Sequence, residues 1–362
     1  MSSLLFEDTW LPLDDDDPIR VLVAPDKATL DLVAEFDYEW AGSSEFVPAR
    51  VPDNLPTDFG LGVIVGASGS GKSTMLRTLG PQTSPGWNPQ LSIAGHFASA
   101  AEARERFLAV GLNSVPLWTK PYGVLSTGEK FRANLARIIG HGAMVDEYTS
   151  VVDRTVAESA SNALARWVHE RSIRGMVVAT CHRDVLPWLQ PDWIIDLDTR
   201  SWALRPRECL QRPERVVEVY AGSRSAWDVF GRHHYLSADL HQACRTFVAV
   251  MNGHLVGFVA TLAFPNGFIK NGWRAHRTVV LPDFQGMGIG TGLSDFVAAL
   301  HVSEGKRYFS RTAHPRVVAH RNTSTEWRET THSGERRKRG GYRGKRWDSP
   351  TRRVGYSHEF MK

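Results

Sequence analysis

Eight residues, Gly66-Ala67-Ser68-Gly69-Ser70-Gly71-Lys72-Ser73, set glycines, a lysine and a hydroxyl in the order that cradles a nucleoside triphosphate. Glycine lets backbone N–H groups turn onto phosphate oxygens without a Cβ in the way. Lys72 is expected to reach the β/γ-phosphates and the Ser73 hydroxyl to ligate Mg²⁺. Gly66, Ser68, Gly69, Gly71, Lys72, Ser73 and Thr74 are therefore the expected ATP contacts. A second glycine loop, Gln285-Gly286-Met287-Gly288-Ile289-Gly290, precedes Thr291. Its amides suit a pyrophosphate in the same way.

The flanking residues say which elements hold these loops. Leu61-Gly62-Val63-Ile64-Val65 reads as a buried strand, and Ser73-Thr74-Met75-Leu76 opens a helix. A flexible Gly/Ser linker would not end in Lys-Ser directly after a strand. Around the second loop, Thr278-Val279-Val280-Leu281 reads as a strand. Residues 291–300 read as a helix with Leu293, Phe296, Val297 and Leu300 on one face. A six-residue glycine match is also what a simple turn would give.

Further motifs follow the first loop in order. Leu125-Ser126-Thr127-Gly128-Glu129 precedes a helical stretch carrying Phe131, Leu135, Ile138 and Ile139; by itself, Ser126-x-x-Glu129 is a capping box. Then come Met144-Val145-Asp146-Glu147, Ser150-Val151-Val152-Asp153, and the apolar run Met176–Thr180 leading into Cys181-His182. Over about residues 20–205 the series resembles the ABC ATPases: P-loop, signature, Walker B with catalytic glutamate, D-loop and switch histidine.

The resemblance implies that Asp146 holds Mg²⁺ through water, Glu147 polarises the attacking water and His182 senses the γ-phosphate. It also implies that Ser126 and Gly128 complete the ATP site of a second copy, hence a head-to-tail homodimer. Thr127 stands where Gly is usual, and Glu129 where transporters often carry Gln. Signatures ending in Glu resemble those of DNA-repair and chromosome-associated ABC ATPases. The Q-loop glutamine is Gln82 or Gln90, and an adenine-stacking aromatic lies among Phe36, Tyr38, Trp40 and Phe46.

Trp193–Leu197 and Trp202–Leu204 read as a closing hairpin, after which Arg205-Pro206-Arg207 through Pro213 reads as a linker. Asn252-Gly253 between two apolar runs is a hairpin signal. Strand, Pro-x-x-Gln-Gly-x-Gly-x-Gly and helix together resemble motif A of the GNAT acetyltransferases over about residues 215–362. The resemblance implies that Gln285, Gly286, Gly288, Gly290 and Thr291 hold the pyrophosphate of acetyl-CoA or another acyl-CoA. Backbone groups of Val279, Val280 and Leu281 would then meet the pantetheine arm and offer an N–H to the thioester oxygen.

Acyl transfer also requires a deprotonated amine and a proton for the departing thiolate. His234 and Tyr235 are the candidate catalytic pair, with Tyr308 and His314 beyond the helix. Packed residues near a helix end would read the same way.

The expected fold class is α/β: a P-loop ABC ATPase domain over residues 1–205, a linker over 206–214, and a mixed α+β GNAT acyltransferase domain over 215–362. The composition, 42% apolar and 23% charged, is that of a globular chain. No run approaches the roughly 20 apolar residues of a membrane span. Three scattered cysteines and the absence of a basic-then-apolar start point to a reducing cytoplasm.

From Arg316 to Lys362, thirteen Lys/Arg stand against five Asp/Glu, a net of +8, so the preceding residues carry −4 of the chain's +4. Within the basic loop 335–347, Arg336, Arg337, Lys338, Arg339, Arg343, Lys345 and Arg346 are interleaved with Tyr342 and Trp347. Cations that neutralise phosphates beside rings that stack on bases make nucleic acid the expected partner; a solvated charged loop is the alternative. Val354, Tyr356, His358 and Phe360 alternate as in a strand.

The leading expectation is an ATPase coupled to acylation of a nucleic-acid base amine. The alternatives are a protein or small-molecule N-acetyltransferase with a regulatory ATPase, and an ABC ATPase with a non-catalytic GNAT-like module.

Overall fold

The computed structural model describes residues 9–36, 38–234, 239–265, 267–330, 333–336 and 354–362. It divides into Met1–Leu112 with Lys120–Pro213, and Asn113–Thr119 with Glu214–Lys362.

The first unit begins with β1 (Leu11–Pro12), β2 (Ile19–Leu22), α1 (Lys27–Glu35) and β3 (Ser43–Phe46). β4 (Leu61–Val65) then runs through the glycine loop into α2 (Lys72–Leu79), followed by α3 (Ala100–Ala109). The short helix α4 (Val115–Trp118) groups with the second unit. Next come α5 (Thr127–Ile138), β5 (Met144–Val145), α6 (Arg154–Glu170), β6 (Met176–Thr180) and α7 (Leu186–Leu189). The unit closes with β7 (Trp193–Asp196), β8 (Ser201–Leu204) and α8 (Arg207–Leu210). α8 lies inside the segment expected to be linker.

The first sheet has the order β1-β8-β7-β4-β6-β5. β4 is parallel to both β6 and β7, and β5 is parallel to β6. Every residue of β4 and β6 is buried, which explains their unbroken apolar runs: helices cover both faces of a parallel sheet. Parallel neighbours bring their carboxyl ends together, so the loops after β4, β5 and β6 converge. Those loops carry Lys72, Asp146 and His182 respectively. β6 separates β4 from β5, placing their ends two strand spacings apart, about 10 Å.

The core beneath these loops holds Ile64, Met75, Leu76, Val177, Trp193, Ile195 and Trp202. Trp193 is fully buried, meets Phe59 edge-on at 5.2 Å, and is the register partner of Gly62 across β4 and β7. A Cβ on Gly62 would stand 2.0 Å from the Trp193 ring. The glycine inside the apolar run is thus a steric requirement for the indole.

The second unit runs through β9 (Glu218–Ala221), α9 (Trp227–Phe230), β10 (Arg245–Met251), β11 (His254–Ala263) and β12 (Gly272–Val280). It continues with α10 (Ile289–Ser303), β13 (Arg307–Thr312), α11 (Pro315–Thr323), β14 (Trp327–Glu329), β15 (Glu335–Arg336) and β16 (Val354–Phe360). Its sheet has the order β14-β16-β13-β12-β11-β10-β9, with β15 beside β16. The β10–β11 turn has Asn252 at φ 52 and Gly253 at φ 78, the two positive φ values of a type I′ hairpin.

Ile289, Leu293 and Val297 of α10 pack on one face of this sheet against Phe247, Val256 and Val259. Trp227 and Phe230 of α9 pack on the other face against Phe258, Ala260 and Val279. α10 begins at Ile289, two residues before the expected start, and Phe296 faces outward, 51% exposed, rather than joining the apolar face. β12 is longer than expected because its first six residues, Gly-Trp-Arg-Ala-His-Arg, mix polar, charged and small residues instead of presenting an apolar run.

Gly62→Ala is expected to destabilise the first unit by about 1–3 kcal/mol, the usual range for overpacking. A lowered urea midpoint for the intact chain checks this; an unchanged midpoint would mean the indole moves aside freely.

Candidate phosphate and acyl-transfer sites

Both glycine loops end in the same device. Gly71 precedes α2 at φ 96 and Gly288 precedes α10 at φ 87, each as a left-handed N-cap without a side-chain cap hydrogen bond. The first amides of both helices therefore remain available to an anion, where the helix dipole adds partial positive charge.

In the first loop, Lys72 Nζ donates to Gly66 O at 2.9 Å and Ala67 O at 2.5 Å. The loop is tied down by Ala67 N donating to Asp198 Oδ1 at 2.8 Å. Arg183 clamps Asp196 and Asp198, bonding Asp198 at 2.8 Å. Burial works against the Asp196 charge, but the Arg183 hydrogen bonds hold its carboxyl below the ordinary range. Ser68, Gly69, Ser73 and Thr74 lie on the loop and the first turn of α2.

The structure narrows two choices left open by the sequence. A Cβ on Gly71 would stand 2.7 Å from the Phe46 ring, so Phe46 is the upstream aromatic that borders the loop, whereas Phe36 and Tyr38 are largely exposed. Gln82 Nε2 lies 3.5 Å from Asp146 Oδ2, and Gln82 bridges to Met144 in parallel. Gln90 instead follows Asn88, whose side chain accepts its amide. Glu147 takes φ 50 beyond the end of β5 and remains exposed, its amide donating to Asp146 Oδ1 at 2.9 Å.

Ser126 and Glu129 do form the capping box: Ser126 Oγ accepts from Glu129 N at 3.3 Å, and Glu129 Oε2 accepts from Ser126 N at 2.8 Å. Gly128 packs on Val156 of α6, where a Cβ would come within 3.3 Å. His182 follows β6, with Nδ1 3.0 Å from Thr149 Oγ1.

In the second unit, β12 and β13 pair in parallel through Gly272–Arg274 and Arg307–Phe309 alone. Beyond that, β12 pairs with β11 and β13 with β16, so the two strands part and leave a wedge open beside the glycine loop. The expected backbone contacts need correction here. The Leu281 amide donates to Val256 O at 3.0 Å, and the Val280 carbonyl accepts the Gln285 side chain at 2.9 Å. By the alternation of an antiparallel strand, the Val280 amide faces the open edge. Gly286 takes φ 96, and a Cβ on Gly290 would crowd Val280 at 3.3 Å. Thr291 Oγ1 donates to Gly288 O at 2.8 Å.

The candidate catalytic residues fare differently. Tyr235 and basic-loop residues Arg337, Lys338, Arg339, Tyr342, Arg343, Lys345, Arg346 and Trp347 lie outside the described residues; Arg336 is described as part of β15. The His234 ring lies 5.8 Å from Trp227. Tyr308 belongs to the core on the α10 side, stacked on His301 at 5.2 Å and edge-on to Trp327. Burial raises its pKa and removes it from the wedge. His314 follows the carboxyl end of β13, beyond its pairing with β12, and its Nδ1 is buried with no hydrogen-bond partner among the described residues. Burial, then Arg316, pushes His314 down to about 4.

His276 was not anticipated from sequence. It is the extra residue of a bulge in β12, between the pairs Ala260↔Arg277 and Thr261↔Ala275. The bulge sets Arg274, His276 and Arg277 on the face opposite α10, since Trp273 and Ala275 pack on the α10 side. His276 Nε2 accepts the His241 amide at 3.3 Å; burial first, then Arg277, Arg274 and His241, lowers it to about 4. The Arg-Ala-His-Arg run was the available signal.

Two P-loop-like sites at strand carboxyl ends, one with a carboxylate pair and a histidine and one beside a parted strand pair, define a nucleotide-binding unit and an acyl-carrier-binding unit. The family model for the acetyltransferase (GNAT) family matches residues 206–321. The cytochrome c biogenesis ATP-binding export protein CcmA of Rhodospirillum rubrum is 30% identical over 162 residues, covering 34% of this chain and 68% of that protein. The chain belongs to the ABC ATPase family and carries a GNAT acetyltransferase domain.

Among solved structures, a bacterial ABC transporter cassette determined as a dimer is 20% identical, covering 42% of this chain and 87% of its own, with a TM-score of 0.33. The ribosomal-protein-S18-alanine N-acetyltransferase of Escherichia coli is 13% identical, covering 40% and 91%, with a TM-score of 0.28. No helix among the described residues is long and apolar enough to cross a membrane.

Buried His301, lowered to about 4 by burial and then by Lys306 and Arg245, predicts a pH dependence, with His276 and His314 lowered likewise. Between pH 4 and 6.5 the unfolded chain binds protons that the folded imidazoles refuse, so stability rises with pH there and falls on acidification. Urea midpoints of the intact chain at pH 7.5 and 5.0 are expected to show this loss, with a shallower slope in His301→Gln.

Proposed function

We propose that this chain hydrolyses ATP and couples that cycle to acyl transfer from an acyl-CoA onto an amine of a nucleic-acid base. The observation that carries the reading is the device repeated in each unit, a strand leading into a glycine loop and an uncapped helix N-terminus. In the first unit the loop would take the ATP triphosphate, with Ser73 and Asp146 holding Mg²⁺. Glu147 would polarise the attacking water and Gln82 would report on the metal. No group of three or more His, Cys, Asp or Glu side chains suited to a metal occurs among the described residues. That suits Mg²⁺, which takes one or two carboxylates and fills its shell with phosphate and water.

A chain with one P-loop and one signature works as a head-to-tail pair. Ser126 fits that role: its oxygen accepts the Glu129 amide, leaving the hydroxyl proton to donate to a phosphate across the pair.

In the second unit the wedge between β12 and β13 would take the pantetheine arm, with the α10 N-terminus on the pyrophosphate. The bound acyl-CoA supplies an activated thioester. The Val280 amide would donate to its carbonyl oxygen as charge develops there. His314, neutral near pH 7, would accept the amine proton as the C–N bond forms, then return it to the departing thiolate. His234 and Tyr235 are the second choice for this work. Arg274 and Arg277 give the sheet face opposite α10 a cationic character suited to a phosphate backbone, and the sequence over 335–347 supplies further cations and aromatic rings. A base amine is reached only when unstacked, a task suited to an ATP-driven clamp.

The test is nucleoside mass spectrometry of DNA and RNA from cells expressing wild type, Lys72→Ala or Gly288→Asp. A new nucleoside in wild type that is absent from both variants is expected. An unchanged profile, with purified enzyme turning over ATP and acetyl-CoA, would move the acceptor to a protein or small molecule; failure to bind coenzyme A would reduce the second unit to a non-catalytic module.

In steady-state acyl transfer, His314→Gln is expected to lower kcat on the order of 100-fold with the acetyl-CoA KM little changed. An unchanged kcat would pass the role to His234 or Tyr235.

A further inference from the structure

Thr149 is fully buried, yet its backbone is left-handed at φ 67. A β-branched residue rarely adopts that conformation, so its surroundings must hold it there. Its neighbour Tyr148 is fixed at both ends, the amide donating to Ala179 O at 2.8 Å and the hydroxyl meeting Ser161 Oγ at 2.9 Å. Thr149 Oγ1 then lies 2.6 Å from Tyr148 O, 3.0 Å from His182 Nδ1 and 3.4 Å from Thr180 Oγ1. The His182 amide donates to Thr180 Oγ1 at 3.1 Å, closing the cluster.

A hydroxyl has one proton to give. The carbonyl of Tyr148 can only accept, and it makes the shortest contact, so it takes that proton. Oγ1 can then meet His182 only as an acceptor, which requires hydrogen on Nδ1. We propose that Thr149 is a positioning residue that fixes His182 in its Nδ1–H tautomer, so that the neutral ring presents Nε2 as an acceptor on the side away from Thr149. This rests on the reading of His182 as the switch histidine of the ATP site.

The neighbouring charges agree with a neutral ring. His182 is lowered by burial and then by Arg154 of α6, with Asp184 of its own loop acting in the opposite sense. Arg154 and Asp184 also pair with each other, Nε to Oδ2 at 2.6 Å, so the start of α6 and the switch loop are joined twice. With Nε2 bare, His182 can hold a water proton directly, and it donates to a phosphate oxygen only as imidazolium. The tautomer thus decides which partner the histidine meets first in the hydrolytic cycle.

The experiment uses the full chain with ¹⁵N-labelled histidine, without nucleotide at pH 7.5, and assigns His182 by the signal lost in His182→Gln. Wild type and Thr149→Ser are expected to show Nδ1–H, and Thr149→Val to shift toward Nε2–H. In ATPase assays Thr149→Val is expected to lose on the order of ten-fold or more in kcat with the ATP KM little changed, by analogy with wrong-tautomer histidines, and Thr149→Ser to recover it.

Nε2–H in wild type overturns the proposal even if the valine variant does not fold. So does a folded Thr149→Val with wild-type tautomer and kcat. A wild type showing Nδ1–H but no ATPase activity supports the tautomer assignment and overturns the ATPase reading instead.

Discussion

A helix N-terminus stripped of its side-chain cap leaves several amides in need of partners, and both units of this protein are arranged around that need. The glycine at the N-cap is held in left-handed backbone, which turns the preceding loop amides the same way as those of the first helical turn. What surrounds each N-terminus differs. Behind α2 stand a parallel sheet and a ring of carboxylates and arginine; beside α10 stands a sheet whose two central strands separate. The shared device suits a phosphate group, and what surrounds it differs between the two units.

In the first unit, convergence of the loops follows from strand direction. Because β4, β5 and β6 are parallel neighbours, loops that are far apart in sequence finish at one edge. Tyr148, Thr149, Thr180 and His182 then join two of those loops through buried hydrogen bonds, in a region where an unmet donor would be costly. In the second unit, the useful feature is a failure of pairing. Strands that diverge expose backbone groups without burying them, the condition under which an extended ligand can be held by main-chain contacts.

Several histidines mark where packing overrode sequence appearance. His276, His301 and His314 are all lowered to about 4 by burial, yet they occupy a strand bulge, a stacked core and the end of a parted strand. Tyr308 shows the same point from the other side: it follows the glycine-loop helix as a catalytic residue might, and its neighbours His301 and Trp327 turn it into core.

The sequence by itself determined the two strand–loop–helix arrangements, the order of the ABC motifs, the Asn252-Gly253 hairpin and the strand over Val354–Phe360, because each depends on local spacing or on glycine's access to positive φ. It left Gln82 and Gln90 equivalent, did not single out Phe46, and hid the bulge at His276. Those were decided by tertiary structure, since they depend on which distant strand lies alongside: Met144 beside Gln82, Gly71 beneath Phe46, and Thr261 and Ala260 opposite the bulge. Local sequence carries period and turn chemistry; register across a sheet is a property of two segments at once, and neither segment states it alone.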